Sequence, residues 1–193
     1  MRAIVLNGSH IAFDANRPAP HAAPGEVEVR VLYAGICETD LQLLRGYMGF
    51  QGVPGHEFVG IAQGGRFAGK RVVGEINCSC WQCATCQAGA ANHCPERTVL
   101  GILKRDGAFA ETLVLPERNL HRVPDSVPDW AAVFTEPLAA AFRIAEQVPA
   151  TARGQTVVLG DGRLGNLCAQ VLRKQGCEVT VIGKHERKLQ ILR

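Results

Sequence analysis

The sequence predicts a mostly β domain followed by the first part of a parallel α/β domain. Up to about residue 125, short runs rich in β-branched residues alternate with Gly, Pro and Asp, which is typical of strands joined by turns. Beyond Pro128 the apolar residues recur three and four positions apart, as in helices. A strand, a glycine-rich turn, a helix and a second strand then follow, which is the order of a βαβ unit.

The β-rich part is predicted to contain five strands, with one short helix after Cys37. Val27, Val29 and Val31 alternate with charged residues, and this period of two suits a strand with one buried face. The predicted strands are Ala3–Leu6, Glu26–Leu32, Phe58–Ala62, Arg71–Val73 and Phe109–Val114.

The second part is predicted to form a helix and then one βαβ unit. The elements are a helix over Pro137–Val148, a strand over Thr156–Leu159, a helix to about Gln175, a strand over Val179–Ile182 and the start of a helix over His185–Arg193. We place the domain boundary near residue 150, which gives domains 1–150 and 151–193. Since a complete doubly wound domain has two βαβαβ halves, the second domain is expected to be incomplete and the chain to be a fragment or a truncated product.

The composition excludes several classes of protein. The 193 residues are 47% hydrophobic and 20% charged, which is ordinary for a globular protein and excludes a disordered chain. No apolar run reaches the roughly 18 residues of a membrane helix, and the N-terminal segment is not typical of a secretory signal. We therefore expect a cytoplasmic protein with no membrane partner. A net charge of +3 without a basic stripe argues against nucleic acid as a partner.

Four regularly spaced cysteines predict a closed metal site. They follow the pattern Cys-x2-Cys-x2-Cys-x7-Cys and are Cys80, Cys83, Cys86 and Cys94. Four thiolates complete the tetrahedral coordination of zinc and leave no position for substrate, so this zinc is expected to be structural. Two disulfides or unconnected buried thiols are the alternatives, which a reducing cytosol disfavours. Cys78 is interpreted as a bystander, because using it in place of Cys80 would break the regular spacing.

Three separate segments offer ligands for a second, open zinc site. They are Cys37-Glu38-Thr39-Asp40, Gly55-His56-Glu57 and Thr135-Glu136-Pro137. Thiolate, imidazole and carboxylate together are typical ligands of catalytic zinc, which keeps one exchangeable position. Two anionic ligands and a neutral histidine cancel the charge of the ion and leave it able to act as a Lewis acid. Each segment taken alone is more often structural than metal-binding.

A glycine-rich turn between the two predicted parallel strands indicates nucleotide binding. The pattern Gly160-x-Gly162-x-x-Gly165 provides a tight turn, close approach of the backbone to a pyrophosphate, and the positive end of a helix dipole. The residues expected to contact the cofactor in this turn are Gly160, Gly162, Leu164 and Gly165.

The residues after the second strand bear on the choice of cofactor. An NAD site would place Asp or Glu there, whereas this chain has Gly183, Lys184 and His185. Without a carboxylate for the ribose 2′-hydroxyl, and with cationic residues instead, the sequence favours NADP over NAD. The alternative is that Lys184, His185, Arg187 and Lys188 form a solvated helix face.

These motifs together resemble one family, the zinc-dependent medium-chain dehydrogenases of the alcohol dehydrogenase superfamily, in their polyol, threonine and glucose dehydrogenase branch. The resemblance covers the whole chain and is carried by Gly35–Asp40, Pro54–Gly60, the four cysteines, Thr135–Ala139 and Gly160–Gly165. It implies a GroES-like, mostly β, partly open barrel followed by the start of an α/β Rossmann domain.

The resemblance also implies a role for each residue of the open site. The ligands of the catalytic zinc would be Cys37, His56 and Glu136, and Glu57 would be a neighbouring carboxylate able to ligate or to adjust the metal. Which glutamate is the third ligand stays open. Thr39 would pass on the substrate proton. Asp40 would orient the ring of His56, because ligating imidazoles normally donate their other N–H to such a partner.

The implied reaction is hydride transfer between an alcohol or polyol, or the matching carbonyl, and NAD(P). The implied cofactors are one catalytic zinc, one structural zinc and NADP rather than NAD. The partners would be a small-molecule alcohol or carbonyl substrate and, in the full-length protein, further copies in a homo-oligomer.

Two positions depart from the family pattern. Gln42 stands where the family's proton relay often has histidine, and since an amide cannot carry a proton as imidazole does, the relay is expected to end in water. The glycine spacing after His56 is shortened around Gly64-Gly65-Arg66, which predicts a tighter strand connection.

Two other functions fit parts of the sequence. A zinc-stabilised module that binds a nucleotide or a partner without catalysis is supported by the chain length and by the unpaired sheet edge of an incomplete α/β domain. A zinc-ribbon nucleic-acid binder would rest on the four cysteines alone. Two zinc ions per chain favour the dehydrogenase, whereas one favours either of these modules.

Overall fold

The chain forms two compact units, Met1–Glu136 and Pro137–Arg193. A computed structural model describes residues 1–147 and 154–192. The domain boundary expected near residue 150 therefore lies outside the described residues. Within the described ranges, no helix is long and apolar enough to cross a membrane.

The first unit is mostly β. Its strands are β1 (Ala3–Asn7), β2 (His10–Asp14), β3 (Glu26–Gly35), β4 (Glu57–Ala62), β5 (Arg71–Gly74), β6 (Asn77–Cys78), β7 (Thr98–Leu100), β8 (Lys104–Arg105), β9 (Thr112–Pro116) and β10 (Leu120–Arg122). Its short helices are α1 (Glu38–Leu44), α2 (Ala84–Gln87) and α3 (Asp129–Ala132), and α4 (Thr135–Gln147) begins at its end.

A five-stranded antiparallel sheet with the order β10-β5-β4-β3-β9 forms the centre of the first unit. In β3 the fully buried Val29 pairs with Ala62 of β4 on one side and with Leu113 of β9 on the other. The valines of β3 pack with Phe58 and the leucines of β9 in the main core, as the alternating pattern predicts. A bridge between Ala3 and Ala110 connects the β1–β2 hairpin to the segment just before β9. The sheet curls into a partly open barrel.

The second unit contains one βαβ unit, as predicted. It consists of β11 (Gln155–Leu159), α5 (Arg163–Lys174) and β12 (Glu178–Ile182), followed by α6 (Glu186–Leu189). The two strands pair in parallel from Gln155 opposite Glu178 to Leu159 opposite Ile182. A small core forms where Ala141 of α4 packs with Cys168 and Val171 of α5.

The predicted strands are confirmed, with one shifted start and several omissions. The strand expected from Phe109 begins at Thr112, because the Phe109 N–H donates instead to the carbonyl of Pro54 at 3.0 Å. Strand β2 was not predicted, since Ile11 and Phe13 are 51% and 65% exposed and their strand has no buried face. The short strands β6, β7, β8 and β10 were not predicted either, because they carry too few residues for a period to show.

Candidate metal centres and nucleotide-binding turn

Cys37, His56 and Glu57 come together where β3 ends and β4 begins. Their ligand atoms, a thiol sulfur, an imidazole nitrogen and a carboxylate oxygen, all lie within 4.8 Å of one another. Antiparallel pairing of Gly35 with Glu57 brings the two segments side by side. His56 and Glu57 are 4% and 1% exposed, which is unusual for ionisable side chains.

Asp40 connects the two ligand-bearing segments. Its Oδ2 accepts the backbone N–H of Cys37 at 2.7 Å, which caps helix α1. Its Oδ1 lies 3.4 Å from Nδ1 of His56, and neither of these two buried atoms has a well-formed hydrogen bond within the described residues. Because Nδ1 faces Asp40, Nε2 is the nitrogen of His56 left for a metal ion.

The charge around His56 suits a cation. Burial lowers the pKa of His56, but the Asp40 carboxylate, with smaller contributions from Cys37 and Glu136, outweighs burial and raises it to about 9. A buried imidazole among acidic groups is a typical environment for a ligand whose proton a metal displaces. The donor set of sulfur, nitrogen and oxygen fits zinc.

The two glutamates stand in different relations to this cluster. Glu57 lies within ligand distance of Cys37 and His56. Glu136, in the first turn of α4, is half-buried and outside the 4.8 Å cluster, although its charge acts on His56. In this structure Glu57, and not Glu136, belongs to the 4.8 Å cluster.

Thr39 and Gln42 occupy the first turns of α1. Thr39 Oγ1 lies 3.8 Å from the sulfur of Cys37, so its hydroxyl borders the cluster. The side-chain amide of Gln42 donates to Oε1 of Glu38 at 3.0 Å. The amide is therefore held by a neighbouring side chain on the helix surface.

Asp106 and Phe109 fix the segment that leads into His56. Oδ1 of Asp106 accepts the N–H of Val53 at 2.8 Å. Gly55 has a φ of +97°, and a Cβ at this position would lie 2.6 Å from the Phe109 ring. Sequence reasoning did not single out Asp106, since a hydrogen bond between residues so distant in sequence leaves no local pattern.

The four predicted cysteines form a second cluster. Their sulfurs lie within 4.8 Å of one another, with 3.5 Å between Cys80 and Cys94, 3.9 Å between Cys83 and Cys94, and 4.0 Å between Cys80 and Cys86. Four sulfurs at about 2.3 Å from a tetrahedral ion lie about 3.8 Å apart, and a disulfide would bring two of them to about 2 Å. All four are free thiols, so the geometry fits a metal and excludes the disulfide alternative.

Backbone hydrogen bonds favour the thiolate form of one cysteine in this cluster. The backbone N–H groups of Gln82 and Cys83 lower the pKa of the Cys80 thiol to about 6, which favours the thiolate that binds metal. Cys78 lies outside the cluster, with its sulfur 3.7 Å from the Ile76 carbonyl, and burial raises its pKa. The buried Asn119 donates to the carbonyls of Glu75 and Asn77 and so anchors the strand before the cluster.

The glycine-rich turn has the geometry that its motif predicts. Gly160 has a φ of +118° and donates its N–H to the carbonyl of Ile182 at 2.8 Å. Gly165 faces the Gly160 carbonyl so closely that no Cβ fits. Helix α5 begins after Gly162, and Leu164 in its first turn is 52% exposed. The turn is therefore open to a pyrophosphate at the N-terminus of a 12-residue helix.

Lys184 and His185 follow β12 and are both exposed. Their backbone N–H groups donate to Asp161 Oδ2 at 2.7 and 2.5 Å, and the His185 ring nitrogen Nδ1 lies 3.1 Å from both carboxylate oxygens. None of the three residues directly after β12 carries a carboxylate, but the fold brings Asp161 of the glycine-rich turn to this place. Sequence reasoning missed Asp161 because it searched only the residues downstream of the strand.

The chain is similar in sequence to curated dehydrogenases. An L-threonine 3-dehydrogenase of Streptomyces avermitilis is 38% identical over 192 residues, which cover 91% of this chain and 55% of the relative. The chain spans about half the length of the curated relatives it matches.

Two solved structures superpose closely on the chain. The short chain alcohol dehydrogenase RspB of Escherichia coli CFT073, complexed with NADH, has a TM-score of 0.87 at 30% identity and covers 98% of this chain and 58% of its own. A protein of Sinorhizobium meliloti 1021 bound to NADP, provisionally described as a zinc-binding dehydrogenase, has a TM-score of 0.87 at 32% identity, with the same coverage. The fold is thus the GroES-like, partly open β barrel followed by the start of a Rossmann domain. Residues 23–125 match the alcohol dehydrogenase GroES-like domain, and the chain belongs to this family of zinc-dependent medium-chain dehydrogenases.

Proposed function

We propose that the chain is part of a zinc-dependent oxidoreductase that transfers hydride between an alcohol or polyol, or the matching carbonyl, and NAD(P). The observation that carries the proposal is the cluster of Cys37, His56 and Glu57 at ligand distance, in which His56 and Glu57 are buried. Residues 1–150 would form the catalytic domain, and residues 151–193 would start the cofactor domain.

Two zinc ions fit the two clusters. Cys80, Cys83, Cys86 and Cys94 would hold a structural ion in a closed set of thiolates. Cys37 and His56 would hold the catalytic ion, with Glu57 or Glu136 as the third ligand. When bound there, zinc supplies Lewis acidity toward the substrate oxygen.

The surrounding residues would orient the ligands and move the proton. Asp40 fixes the ring of His56 through Nδ1 and fixes Cys37 through its backbone, so both ligands are placed before metal binds. The Thr39 hydroxyl, 3.8 Å from the Cys37 sulfur, is placed to accept the proton of a substrate hydroxyl. Since the Gln42 amide cannot carry a proton, Thr39 would release it to water.

NADP is proposed as the cofactor in preference to NAD. The turn from Gly160 to Gly165 would bind the pyrophosphate, and Lys184 and His185 would face the adenosine ribose. The nicotinamide supplies the hydride chemistry. RspB with NADH and the Sinorhizobium protein with NADP are consistent with either dinucleotide.

The proposed partners are a small-molecule alcohol or carbonyl substrate and, for the full-length protein, identical subunits. The eight cysteines are all free thiols, which supports a reducing compartment such as the cytoplasm.

The test is a substrate screen on the longest natural polypeptide that carries this sequence, loaded with zinc. Aliphatic alcohols, polyols and amino alcohols are offered with NAD+ or NADP+, and formation of the reduced nicotinamide is followed. Turnover that is lost in His56→Ala and kept in Cys177→Ser supports the proposal. Two bound zinc ions without turnover of any alcohol or carbonyl would refute it.

A further inference from the structure

One carboxylate joins the glycine-rich turn to the residues that follow β12. Asp161 Oδ2 accepts the backbone N–H groups of both Lys184 and His185, while Nδ1 of His185 lies 3.1 Å from each oxygen. The side chain of Asp161 also fills the space beside Gly183, where no Cβ would fit. The chain therefore needs glycine where an NAD site would place its acidic residue.

The hydrogen bonds already made by Asp161 argue against direct binding of a ribose hydroxyl. A carboxylate offers about four acceptor positions, and two backbone N–H groups and one ring nitrogen already occupy three of them. The side chain is 10% exposed. A ribose would have to displace backbone hydrogen bonds that hold the loop, so the carboxylate faces the protein rather than the ligand.

His185 is the residue that faces outward. Its side chain is 59% exposed, and because Nδ1 faces Asp161, Nε2 lies on the opposite edge of the ring. When both ring nitrogens carry a proton, an imidazole held in this way donates one N–H to the carboxylate and the other to an anion outside. The ammonium group of Lys184 belongs to the same exposed segment.

We propose that Asp161 is a specificity-determining positioning residue, which holds Lys184 and His185 so that the His185 imidazole binds the 2′-phosphate of an NADP-type cofactor. This inference rests on the proposed function, since it concerns the cofactor of that reaction. Asp161 acts through His185 and does not touch the ligand itself.

Binding of two nucleotides to the 193-residue chain tests the inference without any turnover. Adenosine 2′,5′-bisphosphate and adenosine 5′-monophosphate differ by the 2′-phosphate, and isothermal titration at pH 7 gives both affinities. We expect the wild type to prefer the bisphosphate by about tenfold or more, as for a charge-assisted hydrogen bond. Asp161→Ala and His185→Ala should each reduce this preference to near one, because each weakens binding of the bisphosphate much more than binding of the monophosphate.

Glu178→Gln is the matched control, because it removes one negative charge from an exposed residue at the far end of β12. Glu178→Gln should keep the wild-type preference for the bisphosphate. If Asp161→Ala weakens the binding of both nucleotides equally, the role of Asp161 is structural. If it strengthens the binding of the bisphosphate, the carboxylate repels the phosphate. Either result overturns the inference. If Asp161→Ala does not fold, His185→Ala decides, and an undiminished preference in that variant overturns the inference.

The failure of the inference and the failure of the proposed function give different results. A wild type that binds both nucleotides equally contradicts the inference and leaves the dehydrogenase proposal in place. A wild type that binds neither nucleotide contradicts the inference, and the substrate screen on the longest natural polypeptide decides the proposed function separately.

Discussion

Oδ1 of Asp40 lies 3.4 Å from Nδ1 of His56, and the other oxygen of the same carboxylate accepts the backbone N–H of Cys37. One buried side chain thereby lies against two candidate metal ligands that are far apart in the sequence.

Asp40→Asn should weaken zinc binding at the Cys37–His56 site by about 10- to 100-fold, because the amide keeps the size of the side chain but loses the charge that holds the imidazole. Competition with a chromophoric chelator measures the affinity. Asp125→Asn, on the exposed carboxylate that pairs with Arg122, is the control and should leave it unchanged. Equal affinities in wild type and Asp40→Asn would show that the carboxylate does not support the metal ligand.

Cys94→Ser should release one zinc ion and destabilise the protein by about 2 kcal/mol or more, since its buried sulfur faces both Cys80 and Cys83. Zinc content and urea denaturation measure the two effects. Cys78→Ala should keep both ions, because its thiol lies outside either cluster. Loss of zinc in Cys78→Ala as well would mean that the cluster has been assigned to the wrong cysteines.

Gly55→Ala should destabilise the chain by about 2 to 4 kcal/mol, because a left-handed backbone strains alanine and the new methyl group meets the Phe109 ring. Gly8 has a φ of +62° and open space around it, so Gly8→Ala measures the backbone strain alone. This substitution should cost only about 1 to 2 kcal/mol of stability. Denaturant midpoints compare the two variants. Equal losses would indicate that the Phe109 contact adds nothing at Gly55.

The stability difference between wild type and Asp161→Asn should depend on pH. The His185 ring and the backbone N–H groups of His185 and Lys184 lower the pKa of Asp161 from 3.8 to about 2. A carboxyl with a lowered pKa stabilises the folded state above its unfolded value of 3.8, and this contribution is lost as the pH falls toward 2. Urea denaturation should therefore show a constant difference from pH 7 to about 5 and a shrinking one below about 4. A difference that stays constant down to pH 3 would rule out this linkage.

Features encoded by local spacing were predictable from the sequence. Short-range geometry alone places the sulfurs of Cys80, Cys83 and Cys86 and the backbone of the turn from Gly160 to Gly165. The sequence pattern was therefore sufficient to predict both features. The main strands were predictable because one face of each is buried, as Val29 shows.

Features that depend on contacts between distant segments were not predictable from local patterns. The hydrogen bond from Val53 to Asp106 and the contact between Asp161 and His185 join residues of different elements. The resemblance offered both Glu57 and Glu136 as ligands, and the pairing of β3 with β4 brings Glu57 within 4.8 Å of Cys37 and His56.

The most direct test is the zinc content per chain, measured by native mass spectrometry on the wild type and on the double variant Cys37→Ala with His56→Ala. The wild type should hold two zinc ions, one in each cluster, and the double variant should hold one. A wild type that holds only one ion, with no change in the double variant, would contradict the assignment of Cys37 and His56 to a catalytic metal site.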